Sequence, residues 1–224
     1  MSNKAPAWSF SSITLFETCH RKYQAEKVTK EIKFVENENT LYGKRLHKAA
    51  ELYIGSNQAL EGEFNFLRPY LDTLAEIPGQ KYCELRLGIK EVDGQLVACD
   101  FFDKGVWFRG AADLVIVGDK TAWIVDYKTG KSTRSDPRQL ALMAAGVFLK
   151  FPQIQKIKAA LLYVVPGEKV EAKYTREEAF SIFSELDPLL VQLDEAYASN
   201  VWNPMPNGLC RKYCEVKACP HNGD

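Results

Sequence analysis

The sequence predicts an α/β fold, in which helices and strands alternate along the chain around one sheet. Three observations support this prediction: a hairpin signal at 110–130, a strand-like run at 157–165, and helical patterns on either side of them. β-Branched runs bounded by turn residues are typical of strands, whereas apolar residues spaced by three and four are typical of helices. A capping box formed by Thr175 and Glu178 predicts the last helix, at 175–198. Strands interleaved with helices favour the α/β class.

The hairpin signal consists of two β-branched runs separated by Gly118 and Asp119. A Gly-Asp pair between such runs is a common two-residue hairpin loop. This loop would pair Val117 with Lys120. The sequence therefore predicts an antiparallel pair of strands with a fixed register.

The same register places Asp113 opposite Ile124 and two acids within reach of each other. Because side chains alternate between the faces of a strand, Asp113, Asp126 and Lys128 would then share one face. Diagonal partners across the strands lie about 7–8 Å apart, which lets two short acids hold one hard cation. The alternative is that Asp126 and Lys128 project into water or pair with each other at the surface.

Length and composition describe an ordinary globular protein. The 224 residues fit a single domain with a substantial core, and 46% are hydrophobic. Lys+Arg and Asp+Glu are equal at 29 each, so contacts with nucleic acid depend on local patches. The chain contains neither an apolar run of membrane-spanning length nor a signal-peptide pattern. We therefore expect a cytoplasmic protein without membrane contact, whose six cysteines are reduced, inert or metal-bound.

Two helices that precede the first strand carry candidate ligands. The first is predicted to begin at 11–14 and to carry Cys19, which is either an incidental cysteine or a remote metal ligand. The second, at 41–53, places His47 and Glu51 on one face because they are four residues apart. His47 is either a structural or solvated histidine or a ligand. Glu51 either supports the site or pairs with a lysine at the surface.

Residues 56–78 are predicted to be helical, and 81–89 to form the first strand, which ends in a turn at 92–95. We expect the helical segment to contribute these residues to the core: Phe64, Phe66, Leu67, Tyr70, Leu71 and Leu74.

Three residues in or near this strand differ in their expected roles. Glu84 alternates with apolar neighbours, and is either exposed and ion-paired or a secondary candidate near a metal. Cys83 and Cys99 lie in strand-like apolar runs, so we expect buried thiols that act as small hydrophobes.

A helix is predicted to start at 135–137, with proline at its first position. Gln139 lies in its first turn and either caps the helix or points toward the hairpin. Lys131, Arg134 and Arg138 cluster nearby and either contact DNA phosphates or form a solvated helix start. The apolar stripe expected to cover the sheet consists of Leu140, Met143, Ala144, Val147 and Phe148.

The C-terminal segment contains three closely spaced cysteines, Cys210, Cys214 and Cys219. In a cytosolic protein such spacing favours a metal site over disulfides. With Cys19 as fourth ligand, the site would be a Cys₄ clasp that joins both ends of the chain. Zinc, with Cys19 or His221 completing a tetrahedron, is one alternative, and unmetallated thiols are another.

The Gly110-x-x-Asp113 pattern followed by Asp126-Tyr127-Lys128 resembles the core of PD-(D/E)XK nucleases, specifically the RecB-like and phage exonuclease branch. The resemblance implies a restriction-endonuclease-like core, with a central mixed β-sheet flanked by helices. It implies that Asp113 and Asp126 bind metal together with the backbone carbonyl of Tyr127, and that Lys128 is catalytic.

Further parts of the chain resemble the same branch. The helix around His47 is similar to the one that supplies a histidine ligand, and related nucleases often carry an acid at the place of Glu84. Gln139 resembles a catalytic glutamine that follows the Asp-x-Lys strand. The tyrosine usual three or four positions later is replaced by Leu142 or Met143.

The cysteine arrangement is also similar to that of RecB-like nucleases that hold a [4Fe–4S] cluster, with one cysteine before the nuclease core and three after it. The resemblance implies a single nuclease domain over 1–224, with a core at 20–200 and a clasp formed by residues 19 and 210–219. The spacing of three and four intervening residues departs from the usual pattern of two and five.

Together these features predict a Mg²⁺- or Mn²⁺-dependent DNA exonuclease that acts in recombination, repair or phage DNA processing. It would work in the cytoplasm, that of the host if the protein is phage-encoded, with a recombination or replication protein as a possible partner. The alternatives are a DNA-binding accessory protein with a structural metal clasp, and a related endonuclease acting on a specific sequence or on RNA. The sequence predicts no oligomeric state.

Overall fold

The structure, a computed structural model, describes residues 5–33, 35–130 and 135–223. The chain forms two compact units, Asn37–Ile182 and the combination of Met1–Glu36 with Phe183–Asp224. No helix in the described part of the chain is long and apolar enough to cross a membrane. The helices are α1 (Phe10–Thr18), α2 (His20–Tyr23), α3 (Glu38–Ser56), α4 (Arg68–Glu76), α5 (Arg138–Lys150) and α6 (Arg176–Ser199), with a π-helical turn at Gln24–Val28 and a 3₁₀-helix at Gly62–Leu67.

The first unit is built on a six-stranded sheet in the order β2-β1-β3-β4-β5-β6. Neighbouring strands are antiparallel except β4 and β5, which are parallel and joined through α5. The predicted α/β class and mixed sheet are therefore confirmed. The strands are β1 (Gln80–Val92), β2 (Gln95–Cys99), β3 (Phe108–Val117), β4 (Thr121–Lys128), β5 (Lys156–Tyr163) and β6 (Glu168–Tyr174).

The sheet buries apolar residues against two sets of helices. Residues from α3, α4 and the 3₁₀-helix pack on Leu114, Ile116 and Val125. The predicted stripe on α5 is buried, and so is every other residue from 140 to 148. A helix that contacts several strands and is apolar all round belongs in the interior.

The β3–β4 connection is longer than predicted. Val117 pairs with Ala122, so the two-residue loop and the Val117–Lys120 pair are wrong. Two-residue hairpin loops require a positive φ at their first central residue, and neither Gly118 nor Asp119 adopts one.

The longer connection shifts the register of β3 against β4, so that each residue has a different partner but its side chain stays on the same face of the sheet. Ile124 pairs with Val115 and not with Asp113, so the predicted Asp113–Ile124 pair is wrong. The shift amounts to two residues, which is the period of a strand. Continuing the observed register places Asp113 opposite Asp126.

The predicted turn after β1 is confirmed. Val92 pairs with Gln95, and Asp93 and Gly94 have φ values of 51° and 75°. Two positive φ angles in a two-residue loop are typical of a type I′ turn. The following strand, β2, pairs with β1 over its whole length.

Some burial predictions in the first unit are wrong. Phe66 is 40% exposed, because residues three apart eclipse in a 3₁₀-helix and Phe64 and Leu67 occupy the buried side. Cys83 and Cys99 are half-buried, since Cys83 lies close to carboxylates and Cys99 ends β2. The strand β6 was not predicted, because its residues are mostly charged and lack an apolar run.

In the second unit, α1 begins directly after Ser9, whose side chain forms a capping box with Ser12. The helix begins one residue before the predicted range of 11–14 and ends at Thr18, so the prediction that it carries Cys19 is wrong. Cys19 is extended, with φ −168°, and its sulfur accepts the Met205 N–H at 3.4 Å. Aromatic rings pack together in this unit; they are Phe16, Tyr23, Tyr197 and Trp202.

Gly79, which leads into β1, provides a test of the close approach between β1 and β3. Its φ is +139°, and an added Cβ would lie 2.7 Å from the Val117 carbonyl oxygen. Gly79→Ala should therefore lower the free energy of unfolding by about 3 kcal/mol, measured by urea denaturation. Gly94→Ala, with φ +75° but open space around the Cβ, should cost only about 1 kcal/mol. Equal losses in the two variants would contradict the close approach.

Candidate active site

The candidate site lies where β3 and β4 separate. Their ladder ends at Leu114 and Val125, one residue before the two aspartates meet. Asp113 Oδ2 accepts the Tyr127 backbone N–H at 2.6 Å, so a side chain replaces the missing strand partner. The N–H and C=O of a residue in a strand point to the same side, so the Tyr127 carbonyl is directed toward the same gap.

His47 reaches this gap from α3. Its Nδ1 lies 3.1 Å from Asp113 Oδ1. Burial alone would lower the pKa of His47. The hydrogen bond and charge of Asp113, together with the charges of Asp126 and Glu84, outweigh burial and raise that pKa. The imidazole is therefore held by the same carboxylate that holds the Tyr127 amide.

Glu84 forms, together with His47 and Asp113, a group of three side chains that could bind a metal ion. It lies opposite Asp113 in the β1–β3 ladder, at the one position where that ladder is interrupted. Single donor atoms of His47, Glu84 and Asp113 all lie within 4.8 Å of one another. Desolvation of its carboxylate and the charge of Asp113 raise the pKa of Glu84, although the side chain reaches solvent.

The backbone of Glu84 is also unusual, with a φ of +51° in the middle of a strand. A non-glycine residue in this region costs about 1–3 kcal/mol. Such strain persists where the surrounding structure fixes it, and it clusters at functional sites. This outlier raises Glu84 from the secondary candidate of the sequence to a central residue of the site.

Asp126 is the buried acid of the site, at 6% exposure. Gln139 Nε2 donates to its Oδ1 at 3.1 Å. Lys128 Nζ lies 2.6 Å from its Oδ2, which is an ion pair without the alignment of a hydrogen bond. Burial, followed by the charge of Asp113, raises the pKa of Asp126 despite Lys128.

Comparison with known proteins identifies the family of the chain. A model of the PD-(D/E)XK nuclease superfamily matches residues 7–220. The chain belongs to this superfamily. A comparison with curated proteins gave no match.

Two solved structures resemble this PD-(D/E)XK nuclease. One is described as a "Putative exonuclease" from Eubacterium rectale, with 13% identity and a TM-score of 0.52, covering 92% of this chain and 86% of that chain. The other is SSO0001, with 18% identity and a TM-score of 0.49, covering 98% of this chain and 88% of that chain. At this identity, the likeness to the Eubacterium rectale structure supports the fold alone.

Two of the remaining candidates, Glu51 and Arg138, form ion pairs with neighbouring residues, and the charge of Glu51 also acts on Glu84. Glu51 pairs with Lys48 at 2.9 Å, which is the surface alternative. The Arg138 guanidinium binds Asp136 at 2.6 Å. Lys131 and Arg134, the other predicted DNA contacts, lie outside the described residues.

The four cysteines of the predicted clasp lie around one small pocket in the second unit, together with His221; they are Cys19, Cys210, Cys214 and Cys219. Asn207 N–H donates to Cys210 Sγ at 3.4 Å, as Met205 N–H does to Cys19. Among the described residues, no three of these sulfurs approach within 4.8 Å of one another. A tetrahedral zinc site would hold them at about 3.8 Å, given Zn–S bonds of about 2.3 Å.

The raised pKa of Asp126 predicts that its charge destabilises the metal-free protein. Above its folded-state pKa the ionised carboxylate is penalised by burial, and this penalty decreases as pH falls below that pKa toward the unfolded-state value. Asp126→Asn should therefore raise the thermal midpoint in EDTA by about 2–4 °C at neutral pH, measured by calorimetry. Its advantage should shrink as pH approaches the ordinary aspartate value of 3.8.

The exposed Asp119, on the β3–β4 loop, provides the matched control, because Asp119→Asn should leave the midpoint unchanged. A lower midpoint for Asp126→Asn at neutral pH would contradict the penalty. Mg²⁺ should raise the midpoint of the unaltered protein more than that of Asp126→Asn.

Proposed function

We propose that the protein is a divalent-metal-dependent DNA exonuclease that hydrolyses phosphodiester bonds. The observation that carries the proposal is the convergence of His47, Glu84 and Asp113 within 4.8 Å, beside the Asp126–Lys128 ion pair. Membership of the PD-(D/E)XK superfamily supports a nuclease. The exonuclease description of the Eubacterium rectale protein favours action from DNA ends.

The donor set fits Mg²⁺ or Mn²⁺. We propose His47, Asp113, Asp126 and the Tyr127 carbonyl as ligands, with Glu84 added by its position in the structure. Carboxylate and carbonyl oxygens suit these hard cations. Burial, followed by the charge of Asp113, raises the pKa values of Glu84 and Asp126, and a bound cation would offset both effects. When bound, the metal would polarise the scissile phosphate and acidify a water molecule.

The other residues would prepare the reacting groups. Lys128 places an ammonium beside Asp126, where it can orient the attacking water and stabilise negative charge on the phosphoryl oxygens. Gln139 fixes the orientation of the Asp126 carboxylate through its side-chain amide. The Tyr127 amide and His47 do the same for Asp113.

We also propose the RecB-like branch, and a role in recombination, repair or phage DNA processing. The order of His47, Asp113, Asp126, Lys128 and Gln139 along the chain supports the branch. The proposal treats 1–224 as one nuclease domain in the cytoplasm, with a recombination or replication protein as a candidate partner.

Two substitutions test the chemistry. Asp113→Ala removes a metal ligand and Lys128→Ala removes the ammonium, so each should reduce cleavage at least about 100-fold. The assay is release of label from end-labelled linear single-stranded and duplex DNA in Mg²⁺ or Mn²⁺, with EDTA abolishing activity. Lys48→Ala, which removes a surface ion pair with Glu51, is the matched control and should retain activity.

The form of the substrate separates the candidate functions. An exonuclease degrades linear DNA and leaves a covalently closed circle intact, whereas an endonuclease nicks the circle or cleaves RNA internally. Full activity in Asp113→Ala or Lys128→Ala would show that the site is wrongly placed. Metal-independent DNA binding without cleavage would favour the accessory protein.

For the cysteine pocket we propose a [4Fe–4S] cluster, with zinc as the alternative. The support is the gathering of Cys19, Cys210, Cys214 and Cys219 around one pocket. Backbone N–H groups directed at sulfurs also stabilise thiolates bound to such clusters.

Anaerobically purified protein should therefore contain about four iron atoms per chain and absorb broadly in the visible range. Cys214→Ser should remove most of the iron and the absorption, because one of four ligands is lost. Cys83→Ser, outside the pocket, is the matched control. Zinc in place of iron would support the alternative assignment, and the absence of both metals would contradict a metal clasp.

A further inference from the structure

An aromatic and cationic cluster is formed by two phenylalanines on the loop between β2 and β3 and by two arginines from β1 and β3. We call it the Phe102 patch, and define it as Phe101, Phe102, Arg86 and Arg109. Phe102 is 69% exposed, and its ring meets that of Phe101 edge-on at 5.1 Å. Large exposed aromatic side chains carry a hydration cost, which a binding partner would remove.

The loop holds these rings in place. The Phe102 N–H donates to Asp100 Oδ1 at 2.9 Å, and Lys90 Nζ donates to Asp103 Oδ2 at 2.8 Å. Arg109 Nε donates to the Phe101 carbonyl at 2.8 Å. The patch is therefore presented by a loop tied to the strands on both sides.

The two guanidinium groups lie on the rings. The Cζ atom of Arg86 is 5.6 Å and 5.4 Å from the ring centres of Phe101 and Phe102, and that of Arg109 is 5.6 Å from Phe101. Within the described part of the chain, no carboxylate forms an ion pair with either guanidinium. Both charges are therefore available to an anionic ligand.

The patch adjoins the candidate active site. Arg86 lies two residues after Glu84 on β1, and its partner on β3 is Ala111, two residues before Asp113. Two residues of strand span about 6.6 Å, so Arg86 and Ala111 lie about that far along the sheet from the acids. Arg86 and Ala111 are both exposed, so the strip of sheet between the patch and the acids is open.

We propose that the Phe102 patch is a single-stranded DNA subsite of this nuclease. Phe102 stacks on one base, and Arg86 and Arg109 bind the adjacent phosphates. A base within a duplex has both faces covered, so stacking on a side chain selects an unpaired nucleotide. The proposal rests on the proposed function and adds its substrate class, a single strand or the single-stranded end of a duplex.

The test is the affinity of the full chain for fluorescein-labelled oligothymidylate and for a blunt duplex of equal length, by anisotropy in EDTA. Phe102→Ala should weaken single-strand binding about tenfold and leave duplex binding unchanged. Phe102→Trp, which keeps an aromatic ring, should retain single-strand binding. Arg86→Ala should weaken binding. It should also reduce the salt dependence of the affinity, by the amount expected for the loss of about one phosphate contact.

Phe66→Ala is the matched control, because Phe66 is exposed on the 3₁₀-helix away from the patch, and it should bind like the unaltered protein. Unchanged single-strand affinity in Phe102→Ala would overturn the subsite, as would an equal loss for both probes. Binding through Phe102 without any metal-dependent cleavage would sustain the subsite and overturn the nuclease. If Phe102→Ala cleaves single strands at an unaltered rate and with an unaltered KM, the nuclease is sustained and the subsite is overturned.

Discussion

The electrostatic repulsion among carboxylates gathered in one gap of the sheet is the constraint on which the site depends. Glu84, Asp113 and Asp126 lie at the same level of three neighbouring strands, and two of them have raised pKa values. Two of these acids have partners that the fold supplies: an amide and an imidazole for Asp113, and an ammonium and a carboxamide for Asp126. These partners lower the cost of assembling like charges but do not remove it.

The predicted proximity of Asp113 and Asp126 does not depend on the loop beside them, which was predicted wrongly. The Asp113–Ile124 pairing was wrong, yet the two aspartates still meet, because an error of two residues preserves the faces of a strand. Gln139 was left between a capping and a site role, and the structure directs its amide to Asp126. For the two aspartates, the alternation of side chains along the strands was therefore more informative than the identity of the turn.

Other features could not be read from the residues. Glu84 alternates with apolar neighbours like an ordinary strand glutamate, and nothing in the local sequence indicates its positive φ or the interruption of the β1–β3 ladder there. Phe102 stood in a turn-like segment without a motif. The binding role proposed for Phe102 depends on Arg86 and Arg109, which reach the neighbouring Phe101 ring from β1 and β3. The cysteines gathered as their spacing suggested, but spacing in sequence does not fix the distance between sulfurs.

The gap between β3 and β4 has a consequence for side-chain length. Asp113 reaches the Tyr127 amide at 2.6 Å directly from the strand, so an extra methylene there would carry the carboxylate past its hydrogen bond. Glu84 belongs to a strand whose backbone turns at that point, and its longer side chain spans the remaining distance. The geometry of the main chain thus accounts for an aspartate at one position and a glutamate at the other, where charge alone would not distinguish them.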